Sequence, residues 1–93
     1  MKIIWSPRAN QDLYRIVQFI SKDKPMTAVQ WAKKVRQKVM RLNQFPHSGR
    51  IVPEIGRRDL RELLVGSYRI VYKVSSHIAI LTVFHGAKKW DDK

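Results

Sequence analysis

Apolar positions in the first half of the chain recur at helical spacing. Ser6 can cap free backbone N–H groups and Pro7 suits the first helical position, so a helix is predicted from Pro7 to about Ser21. A second helix is predicted from Pro25 or Thr27 to Gln44, and the short break between the two favours an antiparallel hairpin. The apolar stripes of the two helices are Ala9, Leu13, Ile16, Val17 and Ile20, and then Ala28, Trp31, Ala32, Val35, Val39 and Leu42.

The pattern changes to short runs of β-branched and aromatic residues at both ends of the chain. A short strand is predicted at residues 2–5, and three more near 60–65, 68–74 and 78–84. Residues 45–59 hold two prolines and two glycines and are predicted to be mostly irregular. We therefore expect one α+β domain over residues 1–93 with the order β-α-α-β-β-β, in which the helical hairpin packs on one face of a mainly antiparallel small sheet.

Alternation along strand 68–74 assigns its side chains to two faces of the sheet. The helices should cover the face that carries Tyr68, Ile70, Tyr72 and Val74. The second face carries Arg69, Val71 and Lys73, where we expect a groove. The last strand is apolar on both faces until His85, which predicts a central, buried strand. Its exit should bring further cations, Lys88 and Lys89, to the rim of the same sheet.

Charge and composition narrow the classes of function. The chain has 19 Lys and Arg against 7 Asp and Glu, a formal charge of +12, which favours nucleic acid, the ribosome or an acidic protein as partner. A basic nucleic-acid-binding module remains open on these grounds. The absence of cysteine excludes disulfides, thiolate zinc sites and a cysteine nucleophile. The three histidines lack metal-ligand spacing, so we expect no metal and no cofactor. No signal-peptide or membrane-span pattern is present, so we expect a cytoplasmic protein without membrane partners.

Several short motifs, in order along nearly the whole chain, resemble the RelE/ParE superfamily of toxins from bacterial type II toxin–antitoxin modules. They are Trp5-Ser6-Pro7-Arg8-Ala9 with Asp12-Leu13, Phe45-Pro46-His47-Ser48-Gly49-Arg50 with Pro53-Glu54, Arg61-Glu62-Leu63, Tyr68-Arg69-Ile70-Val71-Tyr72 and His85-Gly86-Ala87-Lys88. The resemblance implies a growth inhibitor neutralised by a cognate antitoxin, with a role in plasmid stabilization. RelE-type members cut mRNA on the ribosome, whereas ParE-type members inhibit DNA gyrase.

The residues that a RelE-type nuclease uses are only partly present. The resemblance places Leu60 and Glu62 where such toxins carry two lysines, and no tyrosine follows Tyr72. The motifs therefore resemble the ParE-like branch more closely, and we lean towards a toxin that is not an enzyme. A ribosome-dependent endoribonuclease remains the alternative. It would use Arg69, His85 and Lys88, with Glu54 or Glu62 beside His85 as acid and base.

The candidate contacts to the target or the antitoxin are the basic residues of the closing strands and the tryptophan that follows them. Each has a structural alternative: Arg69 as a solvated arginine or an ion pair with Glu62, His85 as a packed residue, and Trp90 as a cap on the sheet edge. Lys88 and Lys89 could belong to a solvated terminus. The chain could also form homo-oligomers or hetero-oligomers with its antitoxin. The candidate contacts are Arg61, Arg69, Lys73, His85, Lys88, Lys89 and Trp90.

Overall fold

The computed structural model describes residues 1–90, and the predicted helices and strands are present in it. Residues 91–93 lie outside the described part, so a single domain over 1–93 stays a prediction. The α-helical part of the second helix ends four residues before the predicted Gln44, and a 3-10 turn follows it. The elements are β1 (Ile3–Trp5), α1 (Pro7–Asp23), α2 (Pro25–Met40), a 3-10 turn (Arg41–Asn43), β2 (Arg50–Ile51), β3 (Leu60–Val65), β4 (Tyr68–Val74) and β5 (Ile78–His85).

The five strands form one mixed sheet in the order β1-β5-β4-β3-β2. β1 pairs in parallel with β5, and the other three pairs are antiparallel. β5 lies inside the sheet between β1 and β4 and is largely buried, which agrees with the prediction of a central, buried strand, and β4 is the middle strand of the five. The sequence prediction had no strand in residues 45–59, whereas β2 lies there and extends the sheet beyond β3. A two-residue strand has too little pattern to be recognised without its partner.

The helical hairpin covers one face of the sheet, as predicted. Ile70 and Tyr72 are buried in this core, and Tyr68 and Val74 pack against it half-buried, which confirms the assigned face. Trp31 reaches from α2 to the sheet and donates a hydrogen bond of 3.1 Å from Nε1 to the carbonyl oxygen of Val65. This bond satisfies the indole N–H inside the core and fixes α2 against the end of β3.

Ser6 joins the start of α1 to the sheet. Its side chain accepts a hydrogen bond of 3.0 Å from the backbone N–H of Ala9, which is the cap that the Ser6-Pro7 pair predicts. The same hydroxyl donates to the carbonyl oxygen of Leu81 on β5 at 3.0 Å. The first turn of α1 is therefore held beside β5, and this places the helix next to the C-terminal end of that strand.

The groove predicted on the second face is present only in part. A groove of about 350 Å³ lies at one end of this face, where Leu64, Arg69 and His85 line it without Lys73, and the middle of the face is covered. The loop between β2 and β3 folds over it and buries Val52 and Leu60 against Val71 of β4. Ile55, Leu81, Phe84 and Trp90 pack partly buried around them. These contacts remove apolar side chains of the second face from water, and they close over Arg69, whereas Lys73 near the end of β4 is exposed.

Gly49 lies where the chain passes closest to the sheet before β2. A Cβ atom at this position would lie 2.6 Å from both the carbonyl oxygen of Glu62 and the hydroxyl of Tyr72. The Gly49 N–H donates to that hydroxyl at 2.9 Å. Only glycine fits here, and the contact sets the path of the loop that carries Glu54.

No helix in residues 1–90 has both the length and the apolar character that a membrane crossing requires.

Candidate functional site

Arg69 lies at the centre of an ion-pair cluster, and only 5% of the residue is exposed. Its Nη1 and Nη2 atoms donate to the two carboxylate oxygens of Glu54, each at 2.7 Å. Its Nε donates to Oε1 of Glu62 at 2.8 Å. A planar guanidinium fits two carboxylates in this way because its donors lie in a fixed fork. The ion pair with Glu62, one of the two alternatives considered for Arg69, is present.

Arg50 completes the charge balance of the cluster. It lies opposite Glu62 in the β2–β3 register, and its Nε donates to the second Glu62 oxygen at 2.6 Å. The Glu62 side chain is fully buried between Arg50 and Arg69. Two arginines and two glutamates therefore cancel in charge, and the cluster contributes little to the positive field of the surface.

The cluster also holds the segment that follows β5. Arg69 Nη1 donates to the carbonyl oxygen of Lys88 at 2.9 Å, and the backbone N–H of Trp90 donates to Glu54 Oε2 at 2.7 Å. The guanidinium carbon lies 4.9 Å from the centre of the Phe84 ring, within the range of a cation–π contact. Arg69 and Glu54 thus position the backbone that carries Lys88, Lys89 and Trp90.

The pKa values of the cluster follow from these contacts. The hydrogen bonds from Arg69 lower the pKa of Glu54 from 4.5 to about 2, and the Trp90 N–H acts in the same direction against the effect of burial. The hydrogen bond to Glu54 raises the pKa of Arg69 above its ordinary value. Glu54 and Arg69 are both charged throughout the physiological range, as a stable ion pair requires.

The structure places four of the predicted contact residues together. His85, Lys88, Lys89 and Trp90 line one cleft beside α1, and the first three are exposed. The His85 ring packs edge-on against Tyr68 with 5.4 Å between ring centres, and its Nδ1 accepts from the Ala87 N–H at 3.1 Å. His85 is therefore packed against a neighbour and still accessible to a ligand.

The remaining candidates lie apart from that cleft. Arg61 donates through Nη1 to the carbonyl oxygens of His47 and Gly49, at 3.1 and 3.0 Å, and so braces the chain before β2. Lys73 is exposed near the end of β4, opposite Leu60 in the register. Within residues 1–90, no three His, Asp or Glu side chains lie close enough together to hold a metal ion.

The sequence prediction missed two contacts of the cluster, Arg50 with Glu62 and Glu54 with Arg69. It also missed two arginines of α1 that line the cleft, Arg8 and Arg15. Arg50 and Glu62 face each other only through β2, which was not predicted. Glu54 arrives from an irregular loop, and no local pattern indicates where such a loop will fold.

Comparison with known proteins decides the family. The sequence model described as "ParE toxin of type II toxin-antitoxin system, parDE" matches residues 3–90, nearly the whole chain. The chain belongs to the ParE toxin family. The resemblance found in its motifs is thereby confirmed on the ParE side, and a ParDE-type toxin–antitoxin system implies an antitoxin as partner.

A relative and a solved structure agree with this assignment. The protein "Putative toxin Y4kP" of Sinorhizobium fredii (strain NBRC 101917 / NGR234) is 35% identical over 92 residues, which cover 96% of this chain and 92% of that protein. The structure "Chromosomal ParDE TA system from P. aeruginosa" matches with a TM-score of 0.75 over 91% of this chain and 95% of the other. At 21% identity that match supports the fold of this ParE-family toxin, two helices on a five-stranded mixed sheet.

Proposed function

We propose that this ParE-family toxin stops growth by binding DNA gyrase in the cytoplasm, and that it does not cut RNA. The observation that carries the proposal is the state of Arg69. In a RelE-type mechanism the strand arginine stabilises charge on the reacting phosphate, and for this it must be free to meet the substrate. Here the guanidinium is buried and its donors already bind Glu54, Glu62 and the Lys88 carbonyl oxygen.

The acid and base of the nuclease alternative are also poorly placed. A carboxylate with a pKa of about 2, such as Glu54, is a weak general base at neutral pH. The Glu62 carboxylate is fully buried and binds an arginine through each of its oxygens. His85 is exposed, but none of the described salt bridges joins it to a carboxylate that could orient it for proton transfer. These contacts favour a binding mechanism over catalysis.

The surface that we assign to target binding is the exposed end of the sheet. His85, Lys88 and Lys89 are exposed there, and the Arg69–Glu54 pair fixes the backbone beneath them. Arg69 is in this proposal a positioning residue that acts through Lys88 and Trp90. Arg61 and Lys73 stay predicted contacts outside this surface.

We propose that the antitoxin binds an apolar groove at the edge of the helical hairpin, beside β1. A groove of about 440 Å³ runs between β1 and the two helices, and it is lined mainly by Ile3, Trp5, Leu13, Val39 and Met40. An amphipathic helix can lay its apolar face into such a groove. Arg36 at its edge and the charge of +12 favour an antitoxin segment that is acidic on its other face. The antitoxin would hold the toxin inactive in cells that keep the genes for both proteins. Where a plasmid carries these genes, the toxin–antitoxin pair would therefore contribute to plasmid stabilization.

The test is a supercoiling assay with purified gyrase and purified toxin. We expect inhibition that an excess of antitoxin reverses, and that weakens at least tenfold in a Lys88→Ala/Lys89→Ala variant. The matched control is Lys22→Ala/Lys33→Ala, which removes two exposed cations of the helices and should inhibit like the wild type.

Unimpaired supercoiling at toxin concentrations that stop growth would refute gyrase as the target. New mRNA ends on ribosomes would favour the nuclease, and normal growth without antitoxin would favour a non-toxic nucleic-acid-binding module.

A further inference from the structure

A cleft of about 500 Å³ lies between α1 and the end of β5, and it contains residues with no role in the proposed gyrase contact. One wall is α1, which contributes Arg8, Asp12 and Arg15. The other wall is formed by the end of β5, the segment that follows it and the first residue of β4. It combines cations with aromatic rings: Tyr68, Phe84, His85, Lys88, Lys89 and Trp90.

Asp12 fixes the geometry of the cleft. β1 pairs with β5 only as far as Trp5 opposite Ile80, so no strand within residues 1–90 lies beside β5 on this side beyond that point. Asp12 takes that place, because its Oδ2 accepts from the Val83 N–H at 3.0 Å and from the Thr82 hydroxyl at 2.6 Å. The α1 wall is therefore anchored to β5 at the floor of the cleft.

The anchor determines where the two arginines of α1 stand. Arg8 precedes Asp12 by four residues and Arg15 follows it by three, so all three share one face of the helix. The Asp12 carboxylate on this face is held by β5 through Oδ2 and keeps its charge, because both of its donors are neutral. None of the salt bridges or hydrogen bonds within residues 1–90 engages the guanidinium of Arg8 or Arg15.

The charge of the cleft favours an anion. Among the described residues that line the cleft, Arg8, Arg15, Lys88 and Lys89 supply four cations against the one carboxylate of Asp12, an excess of three positive charges without counting His85. A concave site with charge of one sign concentrates ligands of the opposite sign. The rings distinguish between kinds of anion, because an aromatic wall beside cations suits a base attached to a phosphate better than it suits a carboxylate.

We propose that this cleft binds a nucleotide unit, with its phosphate on Arg8, Arg15 and Lys88 and its base against Trp90. The volume lies in the usual range for sites that hold small ligands. The unit could be a free nucleotide or one nucleotide of a single strand, since both present the same chemistry. The site shares Lys88 with the surface assigned to gyrase, but Arg8 and Arg15 belong to the nucleotide site alone, so its binding test does not depend on gyrase.

The main experiment measures binding of a fluorescein-labelled oligothymidylate of ten nucleotides by anisotropy, over a series of salt concentrations. The variant Arg8→Gln/Arg15→Gln is compared with Lys22→Gln/Lys33→Gln, which removes the same two charges from exposed helix positions outside the cleft. We expect the cleft variant to bind at least tenfold more weakly. Its salt dependence should also fall by about 1.4 in the slope of log K against log salt, for two lost phosphate contacts. Equal losses in both variants would overturn the proposal, because they would show a response to net charge alone.

A second variant and three competitors identify the ligand. Trp90→Ala should weaken oligonucleotide binding by about tenfold through lost stacking, while leaving binding of inorganic pyrophosphate unchanged. If ATP displaces the probe at a concentration similar to that of unlabelled oligothymidylate, the ligand is a free nucleotide. If unlabelled oligothymidylate displaces the probe and ATP does not, the ligand is a single strand. Both results support the proposal. Displacement by polyglutamate at equal charge concentration would contradict it and assign the cleft to an acidic protein partner.

Discussion

Replacing Glu54 by glutamine tests whether the Arg69 cluster stabilises the fold. The substitution keeps the shape of the side chain but removes the charge that binds both terminal nitrogens of Arg69. A fall in the Glu54 pKa from 4.5 to about 2 corresponds to about 3 kcal/mol of interaction. The Glu54 side chain remains 19% exposed and solvent screens part of this, so we expect a loss of about 1–2 kcal/mol in the free energy of unfolding.

The same pair makes a prediction about pH. Because folding lowers the pKa of Glu54, its contribution is fully present above the ordinary value of 4.5 and is lost as the pH falls towards 2. The difference in stability between the wild type and Glu54→Gln should therefore be constant from pH 7 to about pH 5. It should shrink steadily below that and nearly vanish at pH 2.

Urea denaturation followed by circular dichroism measures both effects. Asp23→Asn is the matched control, since it removes one exposed negative charge at the end of α1 and should change the stability by no more than about 0.5 kcal/mol. The reasoning is refuted if Glu54→Gln is no less stable than Asp23→Asn at pH 7. It is also refuted if the loss caused by Glu54→Gln is the same at pH 2.5 as at pH 7.

Three further substitutions test the contacts that position the site. Gly49→Ala should destabilise the fold by at least about 2 kcal/mol, because the added Cβ would lie 2.6 Å from the Glu62 carbonyl oxygen. Thermal unfolding measures this loss, and an unchanged unfolding midpoint would contradict the close contact between Gly49 and Glu62. Tyr72→Phe should cost about 1–2 kcal/mol in urea unfolding because the buried Gly49 N–H loses its acceptor, and a neutral effect would mean that water replaces the hydroxyl. Asp12→Ala should cost about 1–3 kcal/mol and speed hydrogen exchange of the Val83 amide; unchanged exchange would count against the anchor at the end of β5.

Local patterns predicted most of the fold because they report on local structure. Ser6 and Pro7 mark the start of α1, and the two-residue period of 68–74 assigns its faces, since both signals lie within the element concerned. β2 and the central position of β4 depend instead on which distant segments pair. No signal within residues 50–51 determines that.

The candidate site was predicted less well for a related reason. The sequence indicates that Arg69 points away from the helices, but burial of a charge depends on the partners that other segments supply. Glu54 comes from an irregular loop, and its approach depends on Gly49 and Tyr72. Arg8 and Arg15 join the cleft only because Ser6 and Asp12 fasten α1 to β5. The predicted cluster of His85, Lys88 and Lys89 was found because those residues are neighbours in the chain.

The most direct test of the central claim is to induce this chain without an antitoxin and to measure DNA topology and mRNA ends in the same culture. If the toxin binds gyrase and Arg69 is a positioning residue, plasmid DNA should lose negative supercoiling as growth stops, while the 5′ ends of ribosome-bound mRNA stay unchanged. New ribosome-dependent mRNA ends, with supercoiling unaffected at the time growth stops, would contradict the account.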